Sequence, residues 1–325
     1  MKKLYISRKM PEQFVRQLTP YYDIVEWEET AVPAPAAFFA SVQDNVDAVW
    51  CLGGDRFGES NVSASSKLKL IANFGVGYNN LQVDYLSEQG IAIANTPNVL
   101  NDATADLAFT LMLATARRIP QNMQFILKGE WQGWDPYLGS GVDISHKTIG
   151  IIGMGKIGET VAKRATGFDM NIIYHNRRPN EQAEKMYGAQ YRTLHALLEE
   201  ADFVVIFAPL TEETRNMITL NELKCMKKTA VLINAARGGI VNEQDLHTAL
   251  KEGIIWAAGT DVFEVEPTKG SHPLFELDNF VATPHIGSAT MDTRHAMMQL
   301  NIDSLIAFVK GEPIPSLVYE SKQFI

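Results

Sequence analysis

Cysteine is nearly absent: the 325-residue chain has two, Cys51 and Cys225. Both stand in apolar or amphipathic surroundings without metal-ligand spacing. That excludes a disulfide scaffold and leaves a reducing cytoplasm as the expected compartment, with no bound metal. Basic residues form no block. Lys and Arg number 29 against 38 Asp and Glu, for a net charge of −9, so nucleic acid is not an expected partner. No apolar run reaches the length of a membrane span, so no membrane partner is expected either. The opening residues, MKKLYISRKM, have two lysines but neither a sustained apolar segment behind them nor a small-residue cleavage site. They read as a first strand rather than a signal peptide. Internal repeats and low-complexity segments are also missing. What remains is an ordinary soluble composition on a chain long enough for two cores. An acidic chain that handles an anion must supply positive potential locally, so single arginines inside a cleft become informative.

The most informative stretch is residues 147–178. An apolar, β-branched run at 148–152 reads as a buried strand. The turn Gly153-Met154-Gly155-Lys156-Ile157-Gly158 follows, and then Ile157, Val161 and Ala165 recur at helical spacing until Gly167. A second β-branched run, Ile172-Ile173-Tyr174, completes a strand–turn–helix–strand unit. Gly153 permits the sharp turn, Gly155 lets backbone approach a pyrophosphate, and Gly158 allows helix to pack on strand. The helix N-terminus offers unpaired N–H groups and the positive end of its dipole, so dinucleotide binding is expected here.

The end of the second strand bears on which dinucleotide. Asp or Glu usually stands there to hold a ribose 2′-hydroxyl. This chain has His175-Asn176-Arg177-Arg178 and no acid before Glu181. Two arginines suit a 2′-phosphate, with Asn176 beside them. NADP(H) is therefore expected over NAD(H), the alternative being a solvated basic loop.

Before this unit, residues 3–7, 24–27, 48–52, 70–74 and 91–94 read as short strands, with helices such as 11–18 and 84–89 between them. That alternation predicts a parallel sheet. Segment 31–37, with two prolines, reads as a loop. Gly75 and Gly77, after the strand at 70–74, make either a tight turn or a nest of N–H groups for a carboxylate. Residues 98–120 read as a helix capped by Asn101 or Asp102, apolar nearly all round and so buried on more than one side. It could cross between domains or meet a second subunit. Residues 128–142 form a Trp- and Gly-rich loop, a contact surface or a cover. Further strands are expected at 203–208, 230–233 and 257–261, helices at 194–200, 221–226 and 243–251, and a long tail helix at 290–310. The tail is expected to return to the first domain.

Three strand-end loops carry groups that a parallel sheet would bring to one cleft. Arg237, in Asn234-Ala235-Ala236-Arg237-Gly238-Gly239, has the fixed fork that suits a carboxylate or a developing oxyanion. Asp261 and Glu266 stand in the next loop, and His285, in Thr283-Pro284-His285-Ile286-Gly287, stands in the third. A His beside a Glu is the simplest acid–base pair near neutral pH, the carboxylate fixing the ring and stabilising its charged form. Taken singly, His285 or Asp261 could cap local structure and Glu266 could be solvated.

Together these loops, the glycine turn and residues 73–80 resemble the D-isomer-specific 2-hydroxyacid dehydrogenases, over about residues 52–315. Within that family the chain looks most like the glyoxylate/hydroxypyruvate and 2-ketogluconate reductases. The resemblance implies an α/β protein of two doubly wound parallel-sheet domains. The larger, a Rossmann nucleotide-binding domain, would span 99–289, and the substrate domain (flavodoxin-like) 1–98 plus 290–325. It also implies roles. Arg237 would hold the substrate carboxylate and carbonyl, His285 would be the catalytic histidine, and Glu266 its acidic partner. The backbone of Val76 and Gly77 would receive the carboxylate, with Leu52 beside it. Asp261 would hold the nicotinamide carboxamide, and Thr104, Ala235 and Pro209 would line the cofactor with Gly153, Gly155, Lys156, Ile157 and Gly158. A small 2-keto or 2-hydroxy acid would be the substrate, and a homodimer through the region after Asn98 the assembly.

Two departures from the family matter. The missing acid after the second nucleotide strand supports NADP(H). The chain also ends soon after the tail helix, without the regulatory extension of many phosphoglycerate dehydrogenases. Other readings of the same fold are a nucleotide-sensing corepressor and a formate or phosphite dehydrogenase.

Overall fold

The computed structural model describes residues 1–30, 38–40, 43–63 and 66–318. The proline-bearing segment 31–37, expected as a loop, and residues 319–325 of the tail lie outside the described residues. The chain forms two compact units, Met1–Leu100 with Thr290–Ile325, and Asn101–Ala289.

The first unit holds β1 (Lys2–Ile6), β2 (Tyr22–Glu26), β3 (Ala48–Leu52), β4 (Leu70–Phe74) and β5 (Ala92–Ala94). All pair in parallel, in the order β2-β1-β3-β4-β5. Strand side chains alternate faces, and here both faces are apolar, as in a sheet covered on both sides. Leu4, Ile6, Trp50 and Leu70 pack with Ile302 and Leu305 of the helix Met291–Lys310. Tyr5, Val49, Cys51, Ile71 and Ile93 fill a second core on the opposite face. The tail helix is tied in by polar contacts as well. Trp50 Nε1 donates to Asn301 Oδ1 at 3.1 Å, and the Tyr22 hydroxyl donates to the Leu305 carbonyl at 2.7 Å. Beyond the ends of β1 and β3, Arg8 and Asp55 form a nearly buried ion pair at 2.8 Å, which Ser7 joins through a hydroxyl hydrogen bond to Asp55.

The second unit holds β6 (Thr148–Ile152), β7 (Asn171–His175), β8 (Gln190–Tyr191), β9 (Phe203–Ile206), β10 (Val231–Asn234), β11 (Ala257–Thr260) and β12 (Phe280–Ala282). They too are all parallel, in the order β12-β11-β10-β9-β6-β7-β8. The chain runs outward from β6 to β8, then crosses to β9 and runs the other way. The gap between β6 and β9 is thus the topological switch point, where open α/β sheets take ligands. Parallel pairing puts every strand's carboxyl end on one edge.

The helix Asn101–Ala116 buries residues on more than one face because it packs on the helix Lys156–Thr166 and on β10 to β12, all within this unit. Asn101 and Asp102, expected as caps, are its first two residues. A further helix, Ile119–Leu127, was not legible in the sequence; Pro120 is tolerated in its first turn, where no intrahelical N–H bond is lost. Among the described residues no helix is long and apolar enough to cross a membrane.

Candidate active site

At the switch point, β6 runs straight into the glycine turn. Gly153 has a φ of +101°, and a Cβ there would lie 2.5 Å from the Ala208 nitrogen, so only glycine fits where β6 passes the end of β9. Gly155 precedes the helix Lys156–Thr166, whose N-terminus no side chain caps. A Cβ built on Gly155 would meet nothing within 4 Å. An uncapped helix start facing open space through a bare glycine fits a pyrophosphate. Gly158 lies against the Gly153 carbonyl, closing helix onto turn. Ile157 packs on the core, and the largely exposed Lys156 lies 3.5 Å from Glu159.

Neighbouring residues shape the turn. Asn176 Oδ1 accepts from Met154 N at 2.7 Å, and Asn180 Nδ2 donates to the Met154 carbonyl at 2.9 Å and to Glu159 at 2.8 Å. Asn176, expected beside the cofactor, therefore also holds the glycine turn. Asn180 was not singled out by the sequence. Arg177 and Arg178 are exposed and make no hydrogen bond or ion pair among the described residues. Pro209 is exposed after β9, with its carbonyl accepting from Thr214 Oγ1 at 2.6 Å. Thr104 and Ala235 are buried, Thr104 against Gly287.

The ends of β10, β11 and β12 carry the charged groups. Asn234, buried at the end of β10, donates through Nδ2 to the Arg237 carbonyl at 3.0 Å and accepts from Ala236 N at 3.1 Å. This folds the loop so that Arg237 is presented at the sheet edge. Burial pulls the Arg237 guanidinium below its ordinary pKa, and the nearby Glu266 charge opposes that pull. The loop also touches the next one, since a Cβ on Gly238 would collide with the Phe263 carbonyl.

Asp261 is 1% exposed at the end of β11. Its Oδ1 accepts from Thr283 Oγ1 at 2.6 Å and Ile286 N at 2.8 Å, and its Oδ2 accepts from Gly287 N at 2.8 Å. Its carbonyl accepts from His285 N at 2.8 Å. Burial raises the Asp261 pKa, although these donors and the His285 charge pull the other way. Asp261 is thus the anchor of the loop that bears His285. His285 requires such an anchor, because it sits in the left-handed region at φ 54°, where a non-glycine residue needs its surroundings to hold it.

His285 Nδ1 lies 2.6 Å from Glu266 Oε2, and Glu266 Oε1 accepts from Phe263 N at 2.8 Å. Burial alone would raise the Glu266 pKa. The hydrogen bond and charge of His285, the Phe263 N–H and the Arg237 charge outweigh it, so the carboxyl stays below its usual range. His285 Nε2 has no partner among the described residues. A charged ring steadied at Nδ1 with Nε2 free is the arrangement of a general acid. Arg237, Glu266 and His285 thus come together at one sheet edge.

Leu52, the last residue of β3, and Val76 and Gly77, just after β4, belong to the first unit. Asn73, fully buried, donates to the Gly77 carbonyl at 3.0 Å, and Asn95 donates to the Val76 carbonyl at 2.8 Å. Both carbonyls are drawn inward, while the Val76 and Gly77 N–H groups donate to nothing among the described residues. That is the nest alternative for this turn. Leu52 packs on the first core, and its N–H donates to Asp55 Oδ2 at 3.0 Å. No cluster of three metal-ligating side chains occurs among the described residues.

Comparison with known proteins agrees with this geometry. The family model for the D-isomer specific 2-hydroxyacid dehydrogenase NAD binding domain matches residues 109–287. A glyoxylate reductase of Thermococcus litoralis is 44% identical over 320 residues, covering 97% of this chain and 96% of that protein. A crystal structure of a Thermus thermophilus protein superposes with a TM-score of 0.90 at 34% identity, covering 97% of this chain and 99% of that one. An NADPH-dependent glyoxylate/hydroxypyruvate reductase from Sinorhizobium meliloti, in complex with NADP and malonate, gives 0.87 at 32% identity, covering 98% and 97%. The chain belongs to the D-isomer-specific 2-hydroxyacid dehydrogenase family, a two-domain α/β oxidoreductase family working with a nicotinamide cofactor.

Proposed function

We propose that the protein reduces small 2-keto acids to D-2-hydroxy acids, with glyoxylate and hydroxypyruvate as first candidates and 2-ketogluconate as a third. The observation that carries this reading is the 2.6 Å contact of His285 Nδ1 with Glu266, which leaves Nε2 free. The names of the Thermococcus and Sinorhizobium relatives support the substrate class. Arg237 binds the substrate carboxylate and polarises its carbonyl, while in the first unit the amides of Val76 and Gly77, unpaired among the described residues, are of the kind that receives a carboxylate. His285 gives the Nε2 proton to the carbonyl oxygen, and Glu266 steadies the imidazolium before that transfer. The reduced nicotinamide, when bound, supplies the hydride. The glycine turn holds its pyrophosphate, and Thr104, Pro209 and Ala235 line the same site.

NADP(H) is the favoured cofactor. No carboxylate follows β7 before Glu181, and Arg177 and Arg178 are exposed and uncommitted to any ion pair, which suits a 2′-phosphate. A homodimer is the favoured assembly. The helix Ile119–Leu127 buries none of its residues, and Ile119, Met123, Ile126 and Leu127 are more than half exposed, with Trp134 beyond it 93% exposed. A contiguous apolar face of this kind is usually covered by a partner, here a second copy. Two free thiols fit a cytoplasmic setting.

His285→Ala tests the reading. Turnover should fall by about 10²- to 10⁴-fold, the usual worth of general acid catalysis, with the melting temperature unchanged. Normal turnover in that variant would end the assignment of His285 as the acid.

A further inference from the structure

Beside these loops stands a second histidine–glutamate pair that the reaction does not use. Glu243 opens the helix Glu243–Lys251, and His272 precedes the short turn Pro273–Glu276. His272 Nε2 lies 3.1 Å from Glu243 Oε2, with both side chains about four-fifths buried, at 20% and 19% exposure. His272 Nδ1 accepts from Leu274 N, so the ring proton belongs on Nε2 and is donated to Glu243. The ring also stands edge-on to Phe263, with centroids 5.5 Å apart. The remaining Glu243 oxygen, Oε1, accepts from Glu264 N at 2.7 Å.

This connects the two pairs. Phe263 N and Glu264 N are consecutive amides, and each donates to one glutamate that is itself bonded to one histidine: Phe263 N to Glu266 of the Glu266–His285 pair, Glu264 N to Glu243 of the Glu243–His272 pair. The Phe263 carbonyl is meanwhile closed in by Gly238, which leaves no room for a Cβ on that side. Phe263 thus stands between the two pairs: its own N–H aims the Glu266 carboxylate, and the 263–264 peptide that follows it is held on one side by the Arg237 loop and on the other by Glu243.

We propose that Glu243 and His272 are positioning residues for the reaction, setting the Glu266 carboxylate against His285 through the backbone of Phe263 and Glu264. They touch neither substrate nor cofactor. This rests on the reading of His285 as proton donor.

The test is steady-state kinetics of His272→Ala and His272→Gln beside the wild type and His285→Ala, with melting temperatures taken on each. The glutamine nitrogen of His272→Gln can still donate to Glu243. The expected result is a roughly 10-fold fall in kcat for His272→Ala, short of the hundredfold that a 1 Å misplacement of a catalytic group costs. KM for the keto acid and cofactor affinity should stay within about twofold, because those contacts are left intact. His272→Gln should recover most of the rate. If His272→Ala does not accumulate as folded protein, Glu243→Asp, which draws the carboxylate back by one methylene, is read in its place with the same expected loss of kcat. Wild-type kcat in a variant that only melts earlier would overturn the proposal. So would a fall in kcat that His272→Gln does not restore. A wild type that turns over no keto acid counts instead against the reading of the reaction.

Discussion

Replacing Glu266 by glutamine isolates the charge at the centre of the mechanism while keeping the side chain's size. The carboxylate now accepts from Phe263 N at 2.8 Å and faces His285 Nδ1 at 2.6 Å. A glutamine can keep its oxygen on the Phe263 N–H, but its NH₂ then points at His285 Nδ1. That ring nitrogen must become an acceptor, which the imidazolium cannot be. The ring is therefore held neutral, with its one proton on Nε2, and is a poor acid. A hydrogen bond to a charged group contributes about 1.5–3 kcal/mol, which at about 1.4 kcal/mol per tenfold corresponds to roughly 10- to 150-fold in kcat. The two side chains are 47% and 35% exposed, so solvent screening puts the loss near the lower end, roughly 10- to 50-fold. The assay is keto-acid reduction at saturating cofactor, with kcat and KM separated. kcat should fall while cofactor affinity stays put. A kcat within twofold of wild type would refute the claim that Glu266 holds the charged ring.

Other outcomes follow from the same geometry. Gly155→Ala should fold normally, because its Cβ meets nothing within 4 Å, yet weaken cofactor binding about tenfold by filling the approach to the helix N-terminus; equal weakening with a collapsed melting temperature would contradict that. Arg177→Ala with Arg178→Ala should weaken NADPH more than NADH, and an unchanged ratio of dissociation constants would return both arginines to the solvated loop. Asp202 is pushed up by burial but pulled below its ordinary pKa by the Lys227 and Thr148 N–H bonds and by the Lys227 and Lys147 charges. A depressed carboxylate contributes stability that is present above its unfolded pKa and lost as pH falls through the folded one. Asp202→Asn should therefore lower the melting temperature at neutral pH and narrow the gap from wild type on acidification. A gap independent of pH would contradict this.

Much of the fold was legible because its signals are local. Strands β3, β4 and β6 fall where their β-branched or apolar runs lie, bounded by polar or glycine residues, and the helices Leu194–Glu200 and Glu243–Lys251 end where the periodicity does. The pieces that escaped have weak local signals. β8 is a two-residue edge strand, β12 has three residues, and the helix Ile119–Leu127 opens with a proline and buries nothing. Arg237, beside glycines at a strand end, could be singled out because solubility explains it poorly, and His285 because a His with a Glu to pair with is the simplest acid–base device near neutral pH. The residues that orient them could not. Asn180, Thr283, Glu243 and His272 act through hydrogen bonds across 20 or more residues, and although Asn180 also caps the helix Glu181–Tyr187 by accepting from Ala183 N, no spacing rule announces such pairs. The Arg8–Asp55 ion pair, between residues far apart in the chain, escaped for the same reason. Asp261 was expected at the cofactor, and its anchoring of the His285 loop became visible only with the two loops side by side.

The central claim is reduction of a 2-keto acid with NADPH. It is tested most directly by following NADPH and NADH oxidation with glyoxylate, hydroxypyruvate and 2-ketogluconate in turn. The expected result is fast turnover with NADPH on at least glyoxylate or hydroxypyruvate, the ranking naming the preferred acid. Turnover confined to NADH would keep the reaction and contradict the role given to Arg177 and Arg178. Tight cofactor binding with no turnover on any of the three would contradict the reductase itself and favour a nucleotide sensor.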